Sequence, residues 1–285
     1  MAKPAKDRAA PGVAGRVLIT GCSSGIGLDA ARRMQARGWQ VVATCRRDAD
    51  LDARRAEGME AVFLELADED SVAACARQVL AGGPLDAVVN NAAFALPGAV
   101  EDVPRGALRA IFEANLFGTH DVTRHLIPHF RARGGGRIVN VSSVLGLVGI
   151  PWRGPYVATK FALEGLTDVM RLELADSGIH VTLIEPGPIG TAIRQNAIPH
   201  FERWIDWENS VIADRYRGGL LQRLYGTPRK DRWELPPSAV SDRIVHALES
   251  PRPAPRYYVT GPTWISGIGR RLLPTRALDW AARRG

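Results

Sequence analysis

Two residues whose types and spacing suit proton transfer, Tyr156 and Lys160, lie near the middle of the chain. They fall in the stretch 155–170, which we interpret as the start of a long helix with Pro155 in its first turn. Residues four apart share one face of a helix, and an ammonium beside a phenol favours the phenolate. A neighbouring cation could therefore make the tyrosine a usable general acid or base near neutral pH. An amphipathic tyrosine beside a surface lysine is the alternative for the pair taken alone.

A glycine-rich turn lies between a strand and a helix near the start of the chain. Residues 16–20 are a short β-branched run that predicts a buried strand, and residues 28–37 predict a helix. Glycine permits positive φ and close approach of a ligand, and a helix start offers unpaired N–H groups to a pyrophosphate. A tight turn of small residues for packing is the alternative. The predicted phosphate-binding residues are Gly21, Ser23, Ser24, Gly25, Ile26 and Gly27.

The second predicted strand, residues 40–44, ends at Cys45, Arg46 and Arg47. In dinucleotide-binding folds an acidic residue at this tip bonds the free ribose hydroxyls of NAD, whereas an arginine accommodates the 2′-phosphate of NADP. The tip carries two arginines and no carboxylate, which favours NADP(H) over NAD(H). The alternative is that both arginines are ordinary solvated loop charges.

The order of the predicted elements gives the fold class. Strands alternate with helices, which predicts an α/β fold: a single-domain, Rossmann-type, doubly wound parallel sheet of about seven strands with helices on both faces, over residues 16–264. The length and the 46% hydrophobic content fit one large domain. Further strands are predicted at 60–66, 86–90, 137–141, 180–184 and 256–260, and further helices at 68–80, 104–132 and 237–250.

Composition restricts the setting in which the protein works. The net charge is +7, but the arginines are scattered and no nucleic-acid motif appears, so attraction of a phosphate-bearing cofactor explains the sign and no nucleic-acid partner is predicted. Three cysteines without metal-ligand spacing indicate a reducing, cytoplasmic compartment. His125 and His129 are four apart but have no evident third ligand, so no metal site is predicted. Residues 1–15 lack the apolar core of a secretory signal and predict a disordered arm.

Two segments after the sixth strand are long and unusual. Residues 186–235 contain several aromatic side chains and suggest a substrate lid. The tail, residues 265–285, is apolar and rich in arginine. It is interpreted either as an amphipathic helix that contacts a membrane surface, or as a segment that packs against its own body or a partner subunit.

The ordered set of motifs resembles the short-chain dehydrogenase/reductase family over roughly residues 16–260. Tyr156 lies 13 residues after Ser143 and 41 after Asn115, as in the family pattern. The glycine turn is spaced differently from that of the family's extended branch of epimerases and dehydratases. The matching stretches are residues 20–27, residues 90–93, Asn115, Ser143, residues 156–160, and Pro186 and Gly187 with Thr191.

The resemblance implies four catalytic residues. Tyr156 would exchange a proton with the substrate oxygen, and Lys160 would lower the tyrosine pKa and hold the nicotinamide ribose. Ser143 would hydrogen-bond the carbonyl oxygen, with the neighbouring Ser142 as the alternative. Asn115 would open its helix locally and hold a water that links Lys160 to solvent.

The resemblance also implies the remaining cofactor contacts. Asn90 would line the groove on the adenosine side, and Ile189 and Thr191 would position the nicotinamide carboxamide. Ala93 stands where the family usually has a glycine, and Glu65 where it usually has an aspartate near the adenine, so that contact is open. The other implied contacts are Glu65, Leu66, Asn91, Ala92, Tyr156, Lys160, Pro186 and Gly187.

The implied activity is that of an NADP(H)-dependent alcohol dehydrogenase or carbonyl reductase. Residues 156–166 and the tail most resemble bacterial relatives of the hydroxysteroid and retinol dehydrogenases, which implies an apolar steroid-, retinoid- or lipid-like substrate and favours reduction. Pairing of the helices that contain Asn115 and Tyr156 would give a homodimer or homotetramer, although the tail could block one interface. A non-catalytic NADP(H) sensor is the alternative, but the chain keeps all four catalytic positions.

Overall fold

A seven-stranded sheet in which every neighbouring pair is parallel forms the centre of the molecule, in the order β3-β2-β1-β4-β5-β6-β7. The structure is a computed structural model that describes residues 15–227 and 231–283. The strand order reverses between β1 and β4, as in a doubly wound fold, so the predicted fold class is confirmed. The strands are β1 (Gly15–Ile19), β2 (Trp39–Cys45), β3 (Glu60–Phe63), β4 (Ala87–Asn90), β5 (Gly136–Val141), β6 (Ile179–Glu185) and β7 (Arg256–Tyr258).

Helices cover both faces of the sheet because successive strand residues point to opposite sides. Val17 and Ile19 enter one core with α1, α2 and α10, whereas Leu18 enters the other with α3, α5 and α6. The helices are α1 (Gly25–Ala36), α2 (Asp48–Ala56), α3 (Glu69–Ala81), α4 (Arg105–Phe112), α5 (Gly118–Ala132), α6 (Gly154–Glu173), α7 (Ile193–Trp204), α8 (Ala213–Arg215), α9 (Leu221–Tyr225), α10 (Ser238–Glu249), α11 (Gly261–Leu272) and α12 (Thr275–Ala282).

Several boundaries differ from the sequence-based prediction. Helix α2 was not predicted, because only Leu51 and Arg54 of its nine residues are buried and its apolar pattern is weak. Helix α1 begins at Gly25, inside the predicted glycine turn. The predicted helix over 104–132 is divided by a π-helical turn at Glu113–Phe117. The predicted arm lies outside the described residues except for Gly15, which begins β1.

The predicted lid segment, residues 186–235, packs on the carboxyl ends of the strands. Its helices α7, α8 and α9 enclose a third apolar cluster that also contains Tyr156. The buried Tyr216 lies at its centre, with its ring 4.8 Å from that of Trp152 in the loop before α6, and its hydroxyl donates to Asp102 over 2.7 Å. The lid is therefore joined to the body on the side where α6 begins.

The predicted amphipathic tail forms α11 and α12. Arg270 of α11 stacks on the ring of Phe161, 4.6 Å from its centroid, and the helix packs against a 3₁₀ turn at Val144–Gly146. Trp264, Ile268 and Leu272 remain exposed on α11. Among the described residues, no helix combines the length and apolarity needed to cross a membrane.

One arginine ties the last strand to the rest of the sheet. Arg256 of β7 donates to Glu185 of β6 over 2.6 Å and to Asp168 of α6 over 2.5 Å, and it also pairs with Glu164 of α6. Glu185 is fully buried, and its pKa is raised by burial and by the negative charge of Glu164. Arg256 is therefore the cation that makes burial of these carboxylates tolerable.

We expect Arg256→Met to lower the free energy of unfolding by about 3–5 kcal/mol, because it leaves buried carboxylates without their cation. Arg171→Met is the matched control, since Arg171 pairs only with Asp168 at the helix surface and its loss should cost less than about 1 kcal/mol. Urea unfolding of both variants measures the difference. Equal destabilisation of the two would contradict this role for Arg256.

Candidate active site

The predicted general acid lies where β5 and α6 meet. Tyr156 is in the first turn of α6, and Ser143 follows the carboxyl end of β5. The phenol is buried and hydrogen-bonds Ser143, whose Oγ also accepts from the Leu145 backbone N–H over 3.1 Å. Ser142 is buried, and its Oγ lies close to Gly146 without a hydrogen-bond partner. The geometry thus places Ser143, and not Ser142, beside the phenol.

Lys160 lies one turn after Tyr156 in α6, as the four-residue spacing predicts. Its Nζ donates to the backbone oxygen of Val141 over 2.8 Å and lies 5.6 Å from the centroid of the tyrosine ring. Burial lowers the pKa of Lys160 to about 8, with the negative charge of Glu164 acting in the opposite direction. Lys160 is therefore a buried cation held at a fixed position behind the phenol, rather than the surface lysine of the alternative interpretation.

The ionisation of the phenol depends on a balance of three effects. Burial raises the pKa of Tyr156 to about 12, and the Ser143 hydrogen bond and then the positive charge of Arg153 oppose this rise. The phenol is accordingly protonated at neutral pH and able to donate a proton. The effect of Lys160 on this pKa stays a prediction.

Asn115 lies in the π-helical turn at Glu113–Phe117, as expected for a residue that opens its helix. Its Oδ1 accepts from the backbone N–H of Phe94 over 3.0 Å, and its Nδ2 donates to the backbone oxygen of Phe94 over 2.9 Å. The same Nδ2 reaches Thr159 of α6 over 3.4 Å. The side chain therefore joins the segment after β4 to the catalytic helix, while the water relay stays a prediction.

The glycine turn has the conformation that its sequence predicts. Gly21 and Gly25 have φ of 75° and 58°, which favour glycine. A Cβ on Gly27 would lie 2.2 Å from the backbone oxygen of Gly21, so only glycine fits there. Asn91 holds this turn in place, because its Nδ2 donates to the backbone oxygen of Thr20 over 2.9 Å.

Asn90 occupies a different place from the one predicted. Its side chain is buried between the sheet and α5, where Nδ2 donates to Thr123 over 2.9 Å and to Asn140 over 2.8 Å. The prediction that Asn90 lines the cofactor groove is wrong, because this residue of β4 points toward the helical layer. Asn91, the next residue, lies beside the glycine turn instead.

The two predicted arginines at the tip of β2 pair with different carboxylates. Arg47 forms two hydrogen bonds with Asp50 in the first turn of α2, over 2.7 and 3.0 Å. Arg46 is exposed and donates to Glu65 over 3.3 Å. Glu65 thus faces Arg46, and its other carboxylate oxygen accepts from the Ala67 backbone. Both arginines are exposed, and Arg46 is held less closely by its carboxylate than Arg47.

An open groove of about 870 Å³ runs between the glycine turn and the start of the lid segment. Ser24 and Gly25 lie on one side, and Ile189 and Thr191 lie on the other. Ser24 precedes α1 without a side-chain cap hydrogen bond, so its hydroxyl is available to a ligand. These residues fit the pyrophosphate and nicotinamide halves of a dinucleotide.

The other predicted cofactor contacts lie around the same edge of the sheet. Ser23 hydrogen-bonds both Cys45 and Asp50. The side chain of Leu66 is buried in the core, and Ala92 donates its backbone N–H to Thr20. Ile26 packs against the core on the opposite face of the sheet. The backbone oxygen of Pro186 accepts from the backbone N–H of Val144. Gly187 approaches Thr260 so closely that a Cβ on the glycine would lie 2.0 Å from the Oγ1 of Thr260.

Two arginines near the site were not predicted. The buried Arg54 of α2 donates to the backbone oxygen of Cys22 over 3.0 Å and so stabilises the glycine turn. An apolar face in α2 would have drawn attention to Arg54, but this helix is too short to show such a face in the sequence. Arg153 immediately precedes α6, three residues before Tyr156, and only its position next to the Tyr156 motif could have drawn attention to it.

The chain is similar to known dehydrogenases in both sequence and structure. The sequence profile of the family described as short chain dehydrogenase matches residues 15–201. The oxidoreductase YbbO of Escherichia coli (strain K12) is 40% identical over 265 residues, covering 92% of each chain. Human 17-beta-hydroxysteroid dehydrogenase type 1 is 33% identical over 86% of this chain and 77% of its own. A short-chain dehydrogenase from Streptomyces avermitilis superposes with a TM-score of 0.78 at 30% identity, covering 96% of this chain and 98% of its own.

The two neighbouring serines give a matched pair of variants. Removing the hydroxyl beside the phenol should lower kcat by about 10²–10³ for Ser143→Ala, because one donor to a developing oxyanion is lost. Ser142→Ala should change kcat less than about threefold, since its hydroxyl lies against Gly146. Steady-state kinetics of both variants with one carbonyl substrate provide the measurement. A larger loss in Ser142→Ala would reverse the assignment.

Proposed function

The chain belongs to the short-chain dehydrogenase family, and on that premise we propose that it is an NADP(H)-dependent oxidoreductase that interconverts an apolar ketone or aldehyde and its alcohol. The observation that carries this proposal is the buried phenol of Tyr156, bonded to Ser143 and backed by the Lys160 ammonium. Three polar groups that suit proton transfer to a carbonyl oxygen thus lie together where β5 and α6 meet.

Each side chain has a separate task in the proposed reduction. Bound NADPH supplies the hydride to the carbonyl carbon. The Tyr156 phenol donates its proton to the carbonyl oxygen, while the Ser143 hydroxyl hydrogen-bonds that oxygen and stabilises its developing charge. Lys160 stabilises the phenolate that remains, and Asn115 fixes α6 against the segment after β4.

The surroundings of the phenol support an apolar substrate. Tyr156 belongs to the apolar cluster that the lid closes, and Phe94, Leu145 and Trp152 at the edge of this cluster are partly exposed and can contact a ligand. Such a wall favours a ligand with a large apolar surface. The hydroxysteroid dehydrogenase named among the relatives supports the same substrate class.

The preference for NADP(H) rests on Arg46. At the tip of β2, where a 2′-phosphate would lie, Arg46 is paired less closely with a carboxylate than Arg47, and Cys45 supplies no carboxylate to bond a free ribose hydroxyl. An arginine guanidinium suits a phosphate because it offers parallel N–H donors.

The setting that we propose is a homo-oligomer in the cytoplasm. The three cysteines are free thiols buried in the two cores, which fits a reducing compartment. Phe117 at the end of the π turn and Leu172 near the end of α6 are exposed apolar side chains, 48% and 72% accessible, on the helices proposed to pair across a two-fold axis.

The decisive experiment is NADPH oxidation with a panel of carbonyls, from small aldehydes to steroid ketones. Tyr156→Phe should lower kcat by about 10²–10⁴ while NADPH binding persists, because only the proton donor is lost. Tyr225→Phe is the matched control, since that hydroxyl lies at the lid surface bonded to Glu202, and its turnover should match that of the wild type. Tight NADPH binding without turnover of any carbonyl or alcohol would favour the sensor alternative.

Arg46→Asp should lower the affinity for NADPH relative to that for NADH by about ten- to a hundredfold, because a charge-assisted contact is replaced by repulsion. Arg47→Asp should change this ratio less, since Arg47 is already engaged with Asp50. Fluorescence titration of each variant with both cofactors measures the ratio. An unchanged ratio in Arg46→Asp would refute the assignment of this residue to the 2′-phosphate.

A further inference from the structure

Three arginines from separate segments of the chain form a cluster around Arg153, three residues before the catalytic Tyr156. Arg153 immediately precedes α6, Arg194 is in the first turn of α7, and Arg223 is in α9, which packs against α7. Arg153 interacts with the charges of the other two and with Tyr156. Arg223 is exposed, Arg194 and Arg153 are half-buried, and Tyr156 is buried, so the positive charges extend from the surface to the phenol.

These three side chains differ from three buried or half-buried arginines elsewhere in the protein, each of which pairs with a carboxylate. Arg16 pairs with Glu60, Arg54 pairs with Glu57, and Arg256 pairs with three carboxylates. Within residues 15–227 and 231–283, by contrast, no carboxylate lies within ion-pair distance of any of the three clustered guanidinium groups, and none of them forms a hydrogen bond to a protein atom.

Leaving such a cluster unpaired has an energetic cost. Burial, followed by repulsion from Arg223 and Arg194, lowers the pKa of Arg153 to about 10. A cation held against like charges in a partly desolvated position is stabilised by an anion that arrives from outside the chain. An unpaired cluster at a catalytic site thus has the properties of an anion-binding subsite.

Aromatic groups lie at the edge of the apolar cluster that contains Tyr156. Trp152 precedes Arg153 directly and packs on Tyr216, and Phe94 stacks on His200 of α7 with ring centroids 3.9 Å apart. A ligand that occupies both environments has an apolar body and an oxyanion. The oxyanion contacts the arginines while the body lies along the lid wall.

We propose that the substrate of this enzyme carries an oxyanion, a carboxylate or a phosphate monoester, which Arg153 binds and which Arg194 and Arg223 attract at the entrance. This inference rests on the proposed function and narrows its substrate class from a neutral apolar carbonyl to an amphipathic, anionic one. Guanidinium forks bind both kinds of oxyanion, so the experiment compares them.

A pair of aldehydes that differ in one charge tests the proposal: 12-oxododecanoate and its methyl ester. The wild type should prefer the acid by about ten- to a hundredfold in kcat/KM, the range expected for a hydrogen bond to a charged group. In Arg153→Met this ratio should fall to about one. Because kcat/KM for the acid is divided by kcat/KM for the ester, any effect of the substitution on Tyr156 that is equal for both substrates cancels. Arg203→Met is the matched control, since Arg203 lies over the ring of Trp204 and is not part of the cluster, and the ratio should stay as in the wild type.

Binding gives a second measurement that does not require turnover. Calorimetry with the NADP⁺-loaded enzyme should detect dodecanoate or dodecyl phosphate, but not dodecanol, and Arg153→Met should weaken the binding about tenfold or more. The tighter of the two anions identifies the headgroup.

The outcomes separate the two proposals. Equal kcat/KM for acid and ester in the wild type overturns the anionic substrate while leaving the reductase assignment intact. Loss of NADPH affinity in Arg153→Met, with an unchanged acid-to-ester ratio, also overturns it, because the cluster would then serve the cofactor phosphates. If neither aldehyde is reduced but dodecanoate binds through Arg153, the anion site stands and the proposed reductase function fails. Absence of both turnover and anion binding overturns the anion site.

Discussion

The amide side chain of Asn115 makes the contact on which the position of the catalytic groups depends. It bonds both backbone groups of Phe94 and reaches Thr159, whose hydroxyl in turn donates to the backbone oxygen of Tyr156 over 2.8 Å. The Phe94 ring stacks on His200 of the lid. One amide therefore joins the edge of the sheet to the catalytic helix and, through Phe94, to the lid. An interior helix residue can bond outward in this way because the π turn releases its helix from regular geometry.

In this site the catalytic phenol and ammonium are buried, and this explains both the ionisation of these groups and the importance of nearby charges. Burial raises the pKa of the Tyr156 phenol and lowers that of the Lys160 ammonium, so it favours the neutral form of both groups. Water screens the interactions inside it poorly, which makes the position of each remaining charge important. Near this site lie three guanidinium groups that have no carboxylate partner among the described residues, whereas the carboxylates around Arg256 are paired with that arginine within the fold.

The sequence predicted those parts of the molecule that depend on local order. The glycine turn follows from positive φ and close contact, and the Tyr156–Lys160 pair follows from helical spacing, so both could be predicted from short stretches. The seven parallel strands follow from the alternation of strands and helices. Asn90 was assigned wrongly because its orientation depends on partners 33 and 50 residues away, Thr123 and Asn140.

Features that need distant segments could not be predicted from local patterns. The support that Arg54 gives to the glycine turn depends on α2, a short helix without a clear apolar face. The arginine cluster joins residues that are far apart in sequence. We infer that it binds an anion because no carboxylate of the described residues pairs with it. No sequence pattern records a missing partner.

The π turn at Glu113–Phe117 also determines where this chain can vary in length. A π-helical hydrogen bond joins residues five apart instead of four, so this turn holds one residue more than a regular helix would. Loss of one residue here would close the turn into an α-helix while α4 and α5 kept their phase. Loss of one residue within α4 would instead rotate one part of that helix by about 100°, and Ile111, which is fully buried in the lid-side cluster, would then change its direction. The π turn is thus the place in this helical segment where a change of one residue in length leaves the packing on both sides unchanged.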